Sequence, residues 1–356
     1  MQRAVTAVST ATAAVRRTRI VATIGAASAD PACLAALIRA GVDVVRLSMV
    51  NGSRERHLAT VRTVRAEADR QGRTVSVLAD LQGRKNRIGR LRDGAARWEP
   101  GEKVVLAAAP GDLDWHRTWL IHGWRAVPQA GSHVLIDDGA VVLRVEEADD
   151  STMTCTVTQG GTVTDGRGVT LPGRQPIPVG LTPRDRDDAA FARHLGADMI
   201  ALSFTAHPSD REALHRIAPE AALIAKIEHP DAVRALPPLI DAFDGLMVAR
   251  GDLALEIPFE DVPVVQKQVT ASCAARGRSS MVATQLLHSM RTAASPTRAE
   301  VADIFNAVLD GADYLVLAGE TGFGRRPVDV VDVCRRVIER AERHRTEQME
   351  RETHAR

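Results

Sequence analysis

Residues 246–252, Leu-Met-Val-Ala-Arg-Gly-Asp, join a short apolar run to a cation, a glycine and a carboxylate. Residues 222–228, Ala-Leu-Ile-Ala-Lys-Ile-Glu, end on charged residues in the same way. Amphipathic stretches separate such runs along the chain, which is typical of βαβ units around a parallel sheet. Because the runs show little polar alternation, we expect strands that are covered on both faces.

Eight runs of this kind occur from Arg19 onward. In chain order they are Ile20–Ile24, Val42–Leu47, Val75–Leu78, Met199–Leu202, Ala222–Ala225, Leu246–Ala249, Met281–Ala283 and Tyr314–Leu317. Helix start signals lie between them at Asp30-Pro31, Thr182-Pro183 and Ser295-Pro296, where a cap residue precedes a proline. Eight strand–helix units predict an α/β fold, a closed (β/α)8 TIM barrel.

An insertion interrupts the barrel after its third strand, because about 120 residues separate Leu78 from Met199. The insertion contains short alternating runs and an Asp138-Gly139 turn, which predict a small β-barrel lid domain. We expect an N-terminal tail at residues 1–17, the barrel at 18–87 and 174–345, the lid at 88–173 and a C-terminal tail at 346–356.

The composition favours a globular protein that acts on small molecules. The chain has 356 residues, 45% of them hydrophobic, and a net charge of +1, which argues against a dedicated nucleic-acid binder. No uninterrupted apolar run reaches about 18 residues, so no membrane association is expected. The four cysteines lie far apart without metal-binding or disulfide spacing, which indicates buried thiols in a reducing cytoplasm.

Polar residues follow most of the predicted strands. In a (β/α)8 barrel the active site lies at these C-terminal strand ends. The polar residues are Arg46 after the second strand; Asp80, Lys85 and Arg87 after the third; Lys226 and Glu228 after the fifth; Arg250-Gly251-Asp252 after the sixth; Thr284-Gln285 after the seventh; and Gly319-Glu320-Thr321 after the eighth. Any one of them could form an ordinary surface ion pair. Together they predict a site at one mouth of the barrel.

Glu228 and Asp252 end neighbouring strands, within reach of one hard divalent cation. The alternative for this pair is two helix caps or a salt bridge to Lys226. The cations Arg46, Arg87 and Lys226 favour a phosphorylated or carboxylated substrate, since phosphoryl transfer needs charge neutralised around the equatorial oxygens. Gly251 and Thr284 offer small donors for a carboxylate.

Seven blocks of the chain resemble, in order, the signature blocks of the pyruvate kinase family. They are Thr18-Arg19-Ile20-Val21-Ala22-Thr23-Ile24-Gly25, Asp80-Leu81-Gln82-Gly83, Ala225-Lys226-Ile227-Glu228, Met247-Val248-Ala249-Arg250-Gly251-Asp252-Leu253, Ala283-Thr284-Gln285, Pro296-Thr297-Arg298-Ala299-Glu300-Val301 and Gly319-Glu320-Thr321. The likeness spans residues 16–342 and includes the inserted lid.

The resemblance implies a role for each strand-end residue. Glu228 and Asp252 would hold Mg²⁺ or Mn²⁺, and Lys226 would neutralise the transferred phosphoryl group and the enolate. Arg46 and Arg87 would bind phosphate oxygens. The substrate carboxylate would lie on the amides of Gly251 and Asp252 and on the hydroxyl of Thr284, so that Lys226, Arg46 and Thr284 form the catalytic set.

The sequence departs from the family pattern at the monovalent-cation site. The family usually has Asn-Phe-Ser-His where this chain has Ser48-Met49-Val50-Asn51, and Val50 has no side-chain oxygen for K⁺. Lys85 occupies the position at which K⁺-dependent members carry a glutamate. An ammonium there can replace the monovalent cation, so we expect that K⁺ is not required.

The nucleotide side departs further from the family pattern. Phe323 replaces a lysine and Asn51 a histidine, whereas Arg167 keeps a cation in the lid, so Asn51 and Arg167 are the nucleotide-binding candidates. Ala318 lacks a serine hydroxyl of the proton-delivery path, and Arg84 and Asn86 replace proline and isoleucine. We do not expect the family's C-terminal domain after the barrel, and we therefore expect no regulation by sugar phosphates. We expect any homo-oligomer to form through the faces of the barrel.

Three functions follow from this pattern. The first is metal-dependent phosphoryl transfer between phosphoenolpyruvate and ADP or another acceptor, through enolpyruvate, with pyruvate and ATP as the opposite pair. The second is an aldolase or lyase acting on a pyruvate enolate, which Phe323, Asn51 and Ala318 favour. The third is a non-catalytic protein that binds phosphoenolpyruvate, which retention of Lys226 and the two acids disfavours.

Overall fold

The eight predicted runs form a closed parallel barrel in the computed structural model, which describes residues 16–171 and 175–354. Within those residues the strands are β1 Arg19–Thr23, β2 Val44–Ser48, β3 Ser76–Leu81, β4 Ala95–Trp98, β5 Lys103–Ala107, β6 Arg117–Trp119, β7 His133–Ile136, β8 Val141–Ala148, β9 Thr152–Gln159, β10 Gly161–Thr164, β11 Val169–Thr170, β12 Met199–Leu202, β13 Ala222–Ile227, β14 Gly245–Ala249, β15 Ser279–Ala283 and β16 Tyr314–Leu317. The barrel order is β1-β2-β3-β12-β13-β14-β15-β16, closed by β16 on β1. The TIM-barrel prediction is confirmed.

Helices follow the barrel strands on the outside. They are α1 Pro31–Ala40, α2 Arg54–Arg70, α3 Pro183–His194, α4 Ser209–His215, α5 Pro230–Arg234, α6 Leu236–Ala242, α7 Arg250–Glu256, α8 Val262–Ala275, α9 Arg298–Leu309, α10 Gly319–Gly322 and α11 Pro327–His354. None of the described helices is both long and apolar enough to cross a membrane. The segment expected to be a C-terminal tail continues α11 as far as His354, and residues 1–15, 172–174 and 355–356 lie outside the described part of the chain.

Two separate sets of buried side chains build the barrel. The larger set lies between the strands and the helices, and a smaller one fills the barrel interior with residues such as Val21, Val44, Leu78, Ile224 and Met247. Side chains alternate between the two faces of a strand. Polar residues two positions beyond these interior residues therefore point toward the barrel axis at its C-terminal mouth.

The inserted segment has its own apolar core, which includes Ile88, Trp98, Leu106, Leu143 and Met153. A six-stranded sheet, in the order β11-β7-β8-β9-β5-β6, packs with the pair β4 and β10 around that core. Residues 86–89 link the two edges of this sheet, because they bond to residues 167–169 beside β11 and to residues 119–121 beside β6.

Helix capping agrees with the sequence prediction at two of three places. Asp30 caps α1, and Thr182 forms a reciprocal capping box with Asp185 at α3. The predicted cap Ser295 is wrong, because Thr297 caps α9 in a box with Glu300. A box satisfies two backbone amides at once, which favours the threonine over the serine two residues earlier.

We predict that Thr182→Ala lowers the free energy of unfolding by about 1 kcal/mol, the usual cost of a lost N-cap. Thr182 Oγ1 accepts the Asp185 amide at 3.0 Å and donates to the Asp185 carboxylate at 2.6 Å. The urea midpoint of the variant measures the loss, and Thr182→Ser, which keeps the hydroxyl, serves as the control. Equal midpoints for the alanine and serine variants would contradict the assignment.

Candidate active site

The strand-end residues meet because they continue the inward-facing rows of the barrel strands. Thr23 and Arg46 are paired across β1 and β2, and Asp80 pairs with Ser48 across β2 and β3. Lys226 lies two residues beyond the interior Ile224 of β13. The period of two along each strand thus delivers hydroxyl, guanidinium, carboxylate and ammonium groups to one mouth of the barrel.

Lys226 is the centre of this cluster, with only 7% of its surface exposed. Its ammonium Nζ lies 2.6 Å from Ser203 Oγ, 3.1 Å from Asp80 Oδ1 and 3.0 Å from Glu228 Oε1. Burial alone would lower the pKa of Lys226, but the carboxylates of Asp80 and Glu228 outweigh it and raise that pKa. The ammonium is therefore charged and fixed in place before any substrate arrives.

Asp80 joins Lys226 to Arg46. Its second carboxylate oxygen accepts a bond from Arg46 Nε at 2.7 Å, and Arg46 Nη1 donates to Thr23 Oγ1 at 2.9 Å. Burial opposes ionisation of Asp80, but Arg46 and Lys226 together hold the pKa of its carboxyl below the ordinary value. The guanidinium of Arg46 is thereby oriented by two partners at the mouth of the barrel.

Glu228 and Asp252 lie close together, as their positions on neighbouring strands β13 and β14 predict. The charge of Asp252 acts on the carboxyl of Glu228, and Glu228 has no exposed surface. Burial, reinforced by the charges of Asp252 and Asp80, raises the pKa of Glu228 to about 7 against the opposing effect of Lys226. Burial also disfavours the Asp252 anion, but Lys85 and Lys226 lower the pKa of Asp252 overall.

One oxygen of Glu228 is available for a further ligand. Oε2 accepts the backbone amide of Phe204 at 2.8 Å, whereas the fully buried Oε1 has no hydrogen-bond partner among the described residues. The ammonium of Lys226 lies 3.0 Å from that same Oε1 as an ion pair. The described residues contain no group of three or more His, Cys, Asp or Glu side chains that could together hold a metal ion.

Lys85 links the barrel mouth to the lid. Its ammonium is ion-paired with Asp252 Oδ1, and it lies 3.8 Å from Asp138 Oδ1 in the turn between β7 and β8. The predicted Asp138-Gly139 turn is present, and both residues have a positive φ. The cation expected at position 85 therefore forms an ion pair with Asp252, the neighbour of Glu228.

Thr284 and Gly251 form a small polar contact beside Asp252. The Gly251 amide donates to Thr284 Oγ1 at 2.8 Å, and a Cβ on Gly251 would lie 3.3 Å from that oxygen. Thr284 has φ +72°, a left-handed conformation that is costly for a β-branched residue. The hydrogen bond from the Gly251 amide holds the hydroxyl oxygen of Thr284 beside Gly251.

Arg87 approaches the site from the first residues of the lid segment. Its Nη1 donates to the carbonyl of Gly166 at 2.8 Å, and its buried Nε has no hydrogen-bond partner among the described residues. Burial lowers the pKa of Arg87, with Arg184 acting in the same direction and Asp252 and Asp138 opposing it. An arginine left with a buried N–H group is suited to receive an oxyanion.

The expected nucleotide-side residues bond to residues other than the charged ones of this cluster. No hydrogen bond or ion pair within the described residues joins Asn51 or Arg167 to Lys226, Glu228 or Asp252. Asn51 is exposed and bonds weakly to Ser48 at 3.4 Å, whereas Arg167 pairs with Asp137 at 3.0 Å. Phe323 is 58% exposed, and the amide of Ala318 donates to Glu320 Oε2 at 3.1 Å.

Ser203, Thr23 and the amide of Phe204 are contacts of the cluster that the sequence did not single out. Ser203 follows β12 directly, the same strand-end position that marked the other candidates, so that signal was present. The Ser203 carbonyl also lies 2.2 Å from where a Cβ on Gly83 would be, so only glycine fits at position 83. Nothing in the sequence marks the Phe204 amide, because any residue supplies one.

The pyruvate kinase barrel-domain family model matches residues 15–331. The chain belongs to the pyruvate kinase family. The pyruvate kinases of Mycobacterium tuberculosis and Corynebacterium glutamicum are 42% and 41% identical to it over 332 residues, covering 91% and 92% of this chain and 70% of each relative. The Thermococcus litoralis pyruvate kinase is 36% identical over 337 residues, 92% of this chain and 70% of the relative.

This relationship confirms the resemblance drawn from the signature blocks. It makes the chain a pyruvate kinase-like phosphotransferase and does not favour the lyase or the non-catalytic alternative. The cluster around Lys226 lies at the C-terminal ends of the barrel strands, where enzymes of this architecture place their chemistry. This mouth of the barrel is therefore the candidate active site.

We predict that Ser203→Ala lowers turnover of phosphoenolpyruvate and ADP by roughly 10–100-fold, because the variant loses one hydrogen bond to a charged group, worth about 1.5–3 kcal/mol. Mn²⁺ affinity stays within about twofold, since Ser203 contacts neither carboxylate oxygen of Glu228. Steady-state kinetics and Mn²⁺ relaxation titrations measure the two quantities.

The matched control for this variant is Ser280→Ala. Ser280, in β15, is also buried, and its hydroxyl donates to Asp313 Oδ2 at 3.2 Å. The Ser280→Ala variant loses a buried hydroxyl that does not contact Lys226. Turnover of Ser203→Ala that equals turnover of Ser280→Ala would remove Ser203 from the positioning of the lysine.

Proposed function

We propose that the chain transfers a phosphoryl group between phosphoenolpyruvate and ADP through an enolpyruvate intermediate at the mouth of the barrel. The observation that supports this most directly is the buried ammonium of Lys226, held between Asp80, Ser203 and Glu228. A preoriented cation in a site shielded from water stabilises charge that develops during the reaction far better than an exposed one. Phosphoryl transfer needs such charge neutralisation.

Glu228 and Asp252 are the proposed ligands of Mg²⁺ or Mn²⁺. Carboxylate oxygens suit these hard cations, and Glu228 Oε1 is buried without a hydrogen-bond partner in the described residues. With two acids at the position, most of an octahedral shell is left for water and substrate oxygens. When bound, the ion supplies positive charge that neutralises the phosphoryl group and the enolate.

Arg46 and Arg87 are proposed to bind the phosphoryl oxygens. Arg46 is oriented by Asp80 and Thr23, and Arg87 by the carbonyl of Gly166 in the lid. Arg87 keeps a buried Nε–H group for an oxyanion. Two guanidinium groups with fixed orientations hold the transferred group in one geometry, which supplies part of the catalytic advantage.

The substrate carboxylate is proposed to lie beside Thr284 and Gly251. In the structure the Gly251 amide donates to Thr284 Oγ1, so the hydroxyl hydrogen of Thr284 is available to a carboxylate. The amides of Gly251 and Asp252 begin α7, where a helix N-terminus favours negative charge. Lys226 then faces the enolate oxygen formed as the phosphoryl group leaves.

The nucleotide is the less defined substrate. Arg167 is half exposed in the lid, and Asn51 is exposed beside β2, so both can reach a phosphate from solvent. Phe323 offers an exposed aromatic ring in place of a charge. We propose ADP as the acceptor because the relatives are pyruvate kinases, with Arg167 as its lid contact.

Two substitutions test this function together. Lys226→Met is expected to lower the turnover number by at least about a thousandfold, because removing one preorganised charge-stabilising group costs about 10²–10³-fold and this lysine serves both the phosphoryl group and the enolate. Its Mn²⁺ affinity is retained, since the carboxylates of Glu228 and Asp252 are unchanged. Asp252→Ala is expected to weaken Mn²⁺ binding by at least about tenfold.

The readouts are coupled formation of pyruvate and ATP, and water-proton relaxation by Mn²⁺. Thermal melting confirms that each variant is folded. Near-normal turnover in Lys226→Met would contradict the role of the lysine, and unchanged Mn²⁺ binding in Asp252→Ala would remove that residue from the ligands. Methyl-proton exchange of pyruvate in D₂O without ATP formation would favour the lyase reaction.

Lys85 gives a separate prediction about monovalent cations. Because its ammonium pairs with Asp252, activity is expected to be the same in K⁺ and in tetramethylammonium. Lys85→Gln is expected to lose at least about tenfold in activity and to recover part of it when K⁺ is added, since the cation restores the missing charge. If the wild-type protein were active only with K⁺, the prediction that the Lys85 ammonium takes the place of K⁺ would be wrong.

A further inference from the structure

A second cleft lies between the lid and the barrel, beside the proposed active site. It encloses about 630 Å³, counting the part open to solvent. The barrel contributes Arg84, Phe204 and Glu256, and the lid contributes the loop that contains His122 and Arg125. We call this space the hinge cleft. No side chain of these five residues has a part in the proposed phosphoryl transfer, although the backbone amide of Phe204 holds Glu228.

The hinge cleft has a positively charged side. Arg84 and Arg125 line it together, and burial and the charge of Arg125 lower the pKa of Arg84 against the opposing carboxylates of Asp185 and Asp210. His122 lines the same cleft, and its buried Nε2 has no hydrogen-bond partner among the described residues. Two cations and a buried, unpaired ring nitrogen are the surroundings that an oxyanion relieves.

The remaining wall of the hinge cleft is apolar. Trp124, Leu171, Ile177 and Pro178 line it, and the indole N–H of Trp124 is already bonded to the carbonyl of Asp149 at 2.9 Å. Its ring is therefore left as an apolar surface. Apolar walls with a few convergent polar groups are typical of small-molecule sites.

We propose that the hinge cleft binds a small organic monocarboxylate, with its carboxylate between Arg84, Arg125 and His122 and its apolar body against Trp124 and Ile177. A monoanion suits the charge of the cleft better than a phosphate dianion, because the carboxyl of Glu256 lies in the same space, 3.9 Å from His229 Nε2. Arg84 and Asn86, which both line the cleft, are also positions at which the sequence departs from the family pattern.

The cleft is connected to the proposed active site by two short paths. Phe204 lines the cleft with φ +53°, and its amide donates to Glu228 Oε2. Asn86 bonds to the carbonyl of Gly123 in the lid and accepts the amide of Arg87 at 3.2 Å. A ligand that shifts either residue changes the surroundings of Glu228 or Arg87, so occupancy of the cleft alters affinity for the divalent ion.

Isothermal titration of the full chain with phenylacetate tests the site without any turnover. Acetate lacks the apolar body, 2-phenylethanol lacks the charge, and phenyl phosphate carries a dianion. We expect phenylacetate to bind at least tenfold more tightly than each of the three. Absence of binding by phenylacetate, or equal binding of the uncharged alcohol, would overturn the proposal, and tighter binding of phenyl phosphate would overturn the choice of a monocarboxylate.

Arg125→Gln is the variant least able to disturb the fold, because its side chain is exposed and makes no hydrogen bond or ion pair among the described residues. It is expected to weaken phenylacetate binding at least fivefold. Arg84→Gln is expected to do the same, and melting temperatures check that loss of its bond to the Gly180 carbonyl has not unfolded it. Arg216→Gln, which removes a surface ion pair with Glu212, is the control that keeps full affinity.

The link to the metal rests on the proposed function and has its own readout. Mn²⁺ affinity, measured by proton relaxation, is expected to change at least twofold when phenylacetate saturates the wild-type protein and to stay constant in Arg125→Gln. An Mn²⁺ affinity indifferent to bound phenylacetate would overturn the link. Asp252→Ala is expected to keep full phenylacetate binding, so failure of the metal site and failure of the cleft give different results.

Discussion

The buried ammonium of Lys226 is the group on which the arrangement of this barrel mouth depends. A lone charge at that depth is strongly unfavourable, and it is tolerated because Asp80, Ser203 and Glu228 surround it. Each partner is itself held, Asp80 by Arg46 and Glu228 by the amide of Phe204. The cluster is thus a network in which every charge is oriented by the next, and its geometry exists before a substrate binds.

The short segment from Gly83 to Arg87 couples this network to the lid. Gly83 allows close contact with the Ser203 carbonyl, and Lys85 reaches both Asp252 and the lid residue Asp138. Asn86 and Arg87 bond to lid carbonyls. The residues that contact the lid are neighbours of those proposed to bind the phosphoryl group, so the position of the lid and the electrostatics of the site are physically linked.

The fold could be predicted almost completely, whereas the site could be predicted only in part. The apolar runs identified all eight barrel strands, because strands buried on both faces need continuous hydrophobic residues. The pairing of Glu228 with Asp252 followed from their places on adjacent strands. Ser203 was missed although it also ends a strand, and the cap of α9 was assigned to Ser295 where Thr297 makes the stronger reciprocal contact. The metal, phosphate and carboxylate roles of the site residues remain predictions.

The sequence by itself determined the order of the elements, the place of the insertion and the chemical groups available at the strand ends. These follow from local rules, namely the period of side chains along a strand, the conformations of proline and glycine, and the burial of apolar residues. Only the tertiary structure decided that the Phe204 amide binds Glu228, that Lys85 forms an ion pair with Asp252, and that Arg84 and Arg125 line the same cleft. Those contacts join residues that are distant in the chain, and closure of the barrel and packing of the lid bring them together.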